Sequence, residues 1–279
     1  FMGTITGDGC LTCRNRVILS SADGPILDCF YRTGARLGLH VFNNGAGRPY
    51  DRIIASSQLY QLLRDLGMTM GPAAEKCLPR SILRAPREIV AAYLRGLFDT
   101  DGTVSRRDGY VTLYSVSKRL IDGVQVMLLN FGILARKRPK WTLYRGEKRL
   151  SYQLEISGAD ADLFMSEIGT ALPRKRALFQ ERARNTNADV VPFLSQTVRQ
   201  ATAAGRFPRA AHKRLEDYKT GRRAPSYVKL GEIFSLLQEK ASTSSALALL
   251  EEHHERHFFW AEIEKIEDGI SQVYDLTVP

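Results

Sequence analysis

A nine-residue pattern occurs twice in this chain, and few folds accommodate such a duplication. Phe1-Met2-Gly3-Thr4-Ile5-Thr6-Gly7-Asp8-Gly9 returns as Leu94-Arg95-Gly96-Leu97-Phe98-Asp99-Thr100-Asp101-Gly102. Each copy is a largely apolar run with glycine at its third place, closed by an acidic residue and a glycine. The closing acids, Asp8 and Asp101, stand 93 positions apart. Read as helices, the two copies can approach closely, because Gly3 and Gly96 have no Cβ to hold the backbones apart. Gly9 and Gly102 are natural helix stops, reached through the left-handed conformation. Asp8 and Asp101 then lie at helix C-termini, beside carbonyls without helical partners. A carboxylate is unfavourable at that negative end. Two of them together require a cation, and a hard divalent ion with oxygen ligands is the natural solution. Such an arrangement suits metal-assisted phosphodiester hydrolysis.

The duplication extends beyond the motifs. Residues 11–20 and 52–57 read as strands and 58–67 as a helix, before Glu75-Lys76-Cys77-Leu78-Pro79 ends the first half. In the second half 111–117 and 152–156 alternate as strands, with helical patterns at 120–129 and 161–168. Pro173-Arg174-Lys175-Arg176 ends that half. Lys76 follows Asp8 by 68 residues and Lys175 follows Asp101 by 74, so a basic residue returns at nearly the same phase.

The paired motif resembles that of the LAGLIDADG homing endonucleases, the second copy more closely, and the resemblance covers about residues 1–180. It implies an α+β fold of two pseudosymmetric αββαββα halves, 1–92 and 93–182, around a paired central helix seam. It implies site-specific double-strand cleavage of DNA with Mg²⁺, Asp8 and Asp101 each serving one strand. Lys76 and Lys175 match the catalytic lysines of the family, and Gly7 and Thr100, beside the acids, match its metal-binding positions. A monomer would then do the work of a dimer. The first motif departs from the pattern, with Thr4 and Thr6 where an apolar residue and often an acid stand. Its helix also begins at Phe1, so its first turn is expected to fray. Asp99 has Thr6 as its counterpart and reads as structural. These departures keep open a nickase, a decayed nuclease or a regulator-like DNA-binding protein, and an RNA maturase is a further alternative.

Charge points to the same partner. Net charge is +10, and residues 1–98 and 99–182 each carry +5, as a symmetric DNA-binding saddle requires. Arg136, Lys137, Arg138, Lys140, Arg145, Lys148 and Arg149 crowd a hairpin that also holds Trp141 and Tyr144. With Arg14 and Arg16 in the first half, and Arg106 and Arg107 in the second, they are the candidate contacts to duplex DNA. Basic side chains on a two-stranded ribbon can neutralise phosphates and reach base edges in the major groove.

The last third divides sharply, with +7 over 184–229 and −7 over 230–279. Around Leu215–Ser226 a helix, a glycine turn and a serine-capped helix resemble the second half of a repressor-type helix-turn-helix. Residues 183–257 are therefore read as a basic helical module. Residues 258–279 read as a hairpin with strands at 260–266 and 273–278, similar to the penultimate motif block of inteins. That likeness implies a splicing domain as the partner in cis of the parent protein. The chain stops at Pro279, short of the His-Asn pair that inteins need, and no splicing block precedes Phe1. It is expected not to splice, and to be an endonuclease region excised from an intein or a relic of one.

Other classes fit poorly. The apolar fraction of 44% supports real cores. No run reaches the roughly 18 apolar residues of a membrane helix, and no secretory signal opens the chain, so a cytoplasmic protein is expected. Cys10, Cys13, Cys29 and Cys77 read as reduced thiols, since Cys10-Leu11-Thr12-Cys13 has no second pair to complete a zinc site. His253-His254-Glu255-Arg256-His257 sets its glutamate at the wrong place for a metalloprotease signature.

Overall fold

The structure is a computed structural model. It describes residues 1–45, 47–144, 146–179, 189–239, 244–256, 258–260, 263, 266 and 268–270. They form two compact units, Phe1–Ala188 and Asp189–Pro279.

The first unit repeats one topology. Its first half runs α1 (Met2–Asp8), β1 (Gly9–Cys10), β2 (Arg16–Ser20), α2 (Gly24–Arg36), β3 (Val41–Asn43), β4 (Asp51–Ala55) and α3 (Ser57–Asp65). A 3₁₀ turn at Ala73–Glu75 and the short α4 (Arg80–Leu83) lead to the second half. There α5 (Arg87–Asp101), β5 (Gly102–Val104), β6 (Val111–Ser115), α6 (Lys118–Leu129), β7 (Arg136–Tyr144), β8 (Glu147–Ile156) and α7 (Ala159–Glu167) follow in the same order, before α8 (Pro173–Leu178). The sheets are antiparallel, ordered β1-β2-β4-β3 and β5-β6-β8-β7. The mixed α/β architecture, one topology repeated about two motif helices, is the one expected from the duplicated motif.

Each sheet buries one face under helices. In the first, Val17, Leu19 and Ile54 pack with Ile26 and Phe30 of α2 and Leu59 and Leu63 of α3. In the second, Val111, Leu113, Leu154 and Ile156 pack with Leu120, Ile121 and Val124 of α6 and Phe164 of α7. The halves interlock: Leu172, from the end of the second half, belongs to the first core. Arg174 also forms a bidentate pair with Asp23, at 2.9 and 2.7 Å.

Three readings change. Residues 11–20 are not one strand: Asn15 takes a left-handed φ of 62°, and β2 begins only at Arg16. The chain also forms α2, which the sequence did not announce, because Gly24-Pro25 sits at its start. Its Ile26, Phe30 and Gly34 then bury one face at fourfold spacing. Lastly, Gly9 and Gly102 are extended (φ −86° and −94°) rather than left-handed, so each motif helix passes straight into a strand. What requires glycine there is space: a Cβ would lie 2.3 Å from Ile5 O or 2.4 Å from Phe98 O.

The second unit is helical: α9 (Ser195–Ala203), α10 (Arg209–Lys219), α11 (Tyr227–Gln238) and α12 (Ser245–Arg256). Val198, Ala201, Leu215, Leu230, Ile233, Leu237, Leu247 and Leu250 form its core. Ser226 caps α11 as expected, its Oγ accepting from Lys229 N at 3.3 Å. The first strand of the expected terminal hairpin falls partly, and the second wholly, outside the described residues. No described helix is long and apolar enough to cross a membrane.

Candidate active site at the helix seam

The seam between α1 and α5 is as close as the paired glycines require. A Cβ on Gly3 would sit 2.0 Å from Tyr93 O, and one on Gly7 would sit 1.9 Å from Thr100 Oγ1. Five successive residues of α1, Gly3 to Gly7, are buried. The two threonines that departed from the family pattern are satisfied inside their own helix. Thr4 Oγ1 donates to Phe1 O at 2.7 Å and Thr6 Oγ1 to Met2 O at 3.0 Å. Across the seam the Tyr93 hydroxyl donates to Thr6 Oγ1 at 3.1 Å.

This packing delivers Asp8 and Asp101 to one place. Asp101 Cγ lies 3.4 Å from where a Cβ on Gly7 would stand, one residue from Asp8. Burial pushes the Asp101 carboxyl up to about 6, with repulsion from Asp8 adding to it and Lys76 and Lys175 opposing. Burial raises Asp8 as well, again against the pull of Lys76 and Lys175. The donor chemistry fits a hard divalent cation: two carboxylates held beside helix-end carbonyls, each destabilised in its charged form until a cation arrives. Among the described residues no third acid, histidine or cysteine joins them. Asp8, Asp101 and the Thr100 carbonyl would leave water to complete the shell, as Mg²⁺ prefers, whereas Gly7 O, also expected at the metal, already accepts from Lys76 Nζ.

Both expected lysines reach the helix ends, but on different terms. Lys76 Nζ donates to Gly7 O at 2.7 Å, using one of its three N–H groups. Lys175 is 4% exposed, and its Nζ donates to Phe98 O, Asp99 O and Gly102 O at 2.7, 2.7 and 2.6 Å. Those bonds use all of its donors and tie off the C-terminus of α5. Burial lowers both ammonium groups, opposed at Lys76 by Asp101 and Asp8 and at Lys175 chiefly by Asp99.

Two positioning residues carried no clear mark in the sequence. Ser117 caps α6 through Leu120 N, while its hydroxyl donates to Lys76 O and so fixes that lysine's backbone. Thr170 joins Asp99, which is structural as expected: the buried carboxylate accepts from Thr170 Oγ1 and from Ala171 N at 3.0 Å. That holds the segment leading to Lys175. Only long-range partners reveal such roles, at separations of 41 and 71 residues.

The basic candidates divide by face. Register places Arg136, Arg138 and Lys140 opposite Glu155, Gln153 and Ser151, on the sheet face turned away from α6. Lys140 Nζ stands 4.4 Å over the Tyr114 ring on that face, and Arg149 shares it. Lys137, opposite Leu154, lies on the other face and pairs with Asp122 of α6 at 2.8 Å. Lys148 follows Lys137 to that side, opposite Leu143. Arg106 and Arg107 are exposed in the turn between β5 and β6, and Arg14 is exposed in the turn before β2 and Arg16 at its start. Arg145 lies outside the described residues.

Residues 88–169 match the family of LAGLIDADG-like domains. Over its full length the chain is 28% identical to part of the replicative DNA helicase DnaB of Rhodothermus marinus, covering 32% of that protein. Again over its full length, it is 26% identical to part of the DNA-directed RNA polymerase subunit Rpo1C of Methanocaldococcus jannaschii, covering 33% of it. The chain thus spans about a third of the length of these relatives. Among solved structures, mesophilic variants of the homing endonuclease I-DmoI align over 60% of this chain and 92% of theirs, at 17% identity and a TM-score of 0.46. The match to LAGLIDADG-like domains thus falls on α5 through α7.

Proposed function

We propose that this chain is a site-specific double-strand DNA endonuclease that hydrolyses phosphodiester bonds with a divalent metal, Mg²⁺ in the first instance. The observation that carries the reading is the meeting of Asp8 and Asp101 at the ends of two helices packed through glycine. A metal held by these acids would stabilise charge on the attacking and leaving oxygens. Lys76, with donors to spare, would contribute a positive group toward a scissile phosphate. Lys175 would act through α5, as a positioning residue. The exposed cations of β7 and β8 would track the duplex on the second half's side of the cut.

The parent context of the reading is an intein. The same module matches stretches of a helicase and of an RNA polymerase subunit, proteins named for different activities. A segment common to such hosts is most simply an insert that moves between genes, with the host's splicing domain as its partner in cis.

The test is cleavage of a randomised duplex library in Mg²⁺, sequencing the new ends, with Asp8→Asn and Asp101→Asn alongside. One long consensus is expected at the ends, with double-strand breaks lost in both variants and DNA binding retained. Full activity in Asp101→Asn would sink the assignment. Selective retention of one sequence without any cleavage would replace it with the regulator-like reading.

A further inference from the structure

The second unit concentrates its charge on one helix. Arg206, Arg209, Lys213 and Arg214 occur within nine residues that contain no acid. On α10, Ala211 and Leu215 are buried, whereas Arg209, Ala210, Lys213 and Arg214 are exposed. Their spacing sets Arg209 and Lys213 together on the face away from the core, while Arg214 flanks that face at the groove toward α11, which Glu232 also lines.

The neighbouring acids are already engaged. Glu216 pairs with Lys219 at 2.9 Å and Asp217 with Arg223 at 3.7 Å, both toward the C-terminal end of α10. On α11, Glu232 pairs with Lys229. Arg206, Arg209, Lys213 and Arg214 make no ion pair or hydrogen bond among the described residues. The N-terminal half of α10 therefore presents exposed positive charge without an ion-pair partner among the described residues.

The setting of that helix selects among anionic partners. It follows α9 through the short connection 204–208, and the two helices pack through Val198, Ala201 and Leu215. This is the order of a helix-turn-helix, whose second helix offers its N-terminal residues to base edges in the major groove. We propose that α10 is a second duplex-reading element, with Arg209 and Lys213 directed at base edges and Arg206 and Arg214 at phosphates. Arginine and lysine on guanine edges are common specific contacts in that groove. The proposal rests on the DNA-binding reading above and adds a contact surface remote in sequence from the cleavage motifs.

The test uses the full chain on the duplex recovered from the randomised library. Footprints and binding at several salt concentrations are compared for wild type and Arg209→Ala/Lys213→Ala/Arg214→Ala. These positions are exposed, and alanine is a good helix former, so the variant should fold; a thermal melt checks this. The variant should lose about one helical turn of footprint at one end and bind roughly 10- to 100-fold more weakly. The slope of log affinity against log salt should fall by about 2 to 3. Cleavage at saturating DNA should be unchanged. A full-length footprint with an unaltered salt slope overturns the proposal. If wild type protects DNA without cutting it and the variant shortens the footprint, the endonuclease reading falls and this one stands. If wild type cuts and the variant's footprint is unchanged, this one falls alone; if wild type binds no DNA, both fall.

Discussion

The two halves of the first unit share a topology but divide its tasks unequally. Both bring an aspartate and a lysine to the end of a central helix. In the first half that helix is seven residues long and its lysine makes one bond to it; in the second it is fifteen residues long and its lysine makes three. The second helix is further pinned by Asp99, where the first has Thr6 turned back on its own backbone. The sheets diverge too. The first pairs three residues of β3 with β4, the second nine of β7 with β8. Away from their helices, the first sheet shows Ile18, Ile53 and Phe42 with one cation, Arg16, at its end, the second Arg136, Arg138 and Lys140. Duplication has therefore preserved the charges at the seam and let scaffolding and outer faces drift. The second half is the more heavily bonded partner and gathers its cations on a long ribbon; the first, of equal net charge, is the lighter one.

The lysines offer the strongest way to break this comparison. Lys175→Met leaves three carbonyls without their donor in a buried site, and a loss of about 3 kcal/mol or more is expected. Lys76→Met forfeits a single bond and should cost about 1 kcal/mol. Activity should run the other way: at equal folded fraction, Lys76→Met loses more cleavage than Lys175→Met. Urea unfolding gives the first comparison and single-turnover cleavage the second. Equal stability losses would mean that the three-bond cap does not distinguish the halves.

A smaller effect, about 2 to 3 kcal/mol, concerns the acids without metal. Asp101 is raised from its ordinary 3.8 to about 6 in the fold. A raised carboxyl favours the folded state below the unfolded value, and that advantage is lost as pH climbs through the folded one. Metal-free protein should thus lose stability between about pH 4 and 6 on this account. Asp101→Asn should flatten that slope and be the more stable form above it. Asp8→Asn should shift the slope to lower pH by removing the repulsion on Asp101. Melting curves across pH in chelator decide the matter, and an unchanged slope in Asp101→Asn would remove Asp101 as its source.

The motif helices and their glycines were legible because each rests on local pattern or on repetition, whereas the αββαββα order followed from the resemblance, α2 and β3 having no mark of their own. Asp8 and Asp101 were legible for the same reason. What the chain concealed depends on contacts that periodicity does not carry. The face of each cation follows from strand register, and register separated Lys137 from Arg136 and Arg138 although they are neighbours in sequence. The unequal bonding of Lys76 and Lys175 depends on where the preceding segments are anchored, by Ser117 in one case and by Thr170 with Asp99 in the other. The stop at Gly9 and Gly102 was placed correctly on a mistaken ground: glycine there provides clearance for a carbonyl rather than left-handed backbone.

The outer faces give the smallest effect and the sharpest contrast in kind. Each phosphate-neutralising cation contributes about 0.9 to the slope of log affinity against log salt. Arg138→Ala/Lys140→Ala should therefore lower that slope by about 2, with the affinity loss concentrated at low salt. In the first half, Phe42 is 48% exposed beside Ile53 and carries no charge. Phe42→Ala/Ile53→Ala should leave the slope as it is and weaken binding by a factor of about five that is the same at every salt, an amount in keeping with a kcal/mol of apolar contact. Two parallel lines for wild type and the first-half variant, crossed by a shallower one for the second-half variant, would establish that the halves hold DNA by different forces. If both variants lower the slope alike, cations near Arg14 and Arg16 restore the symmetry that the sheet faces have lost.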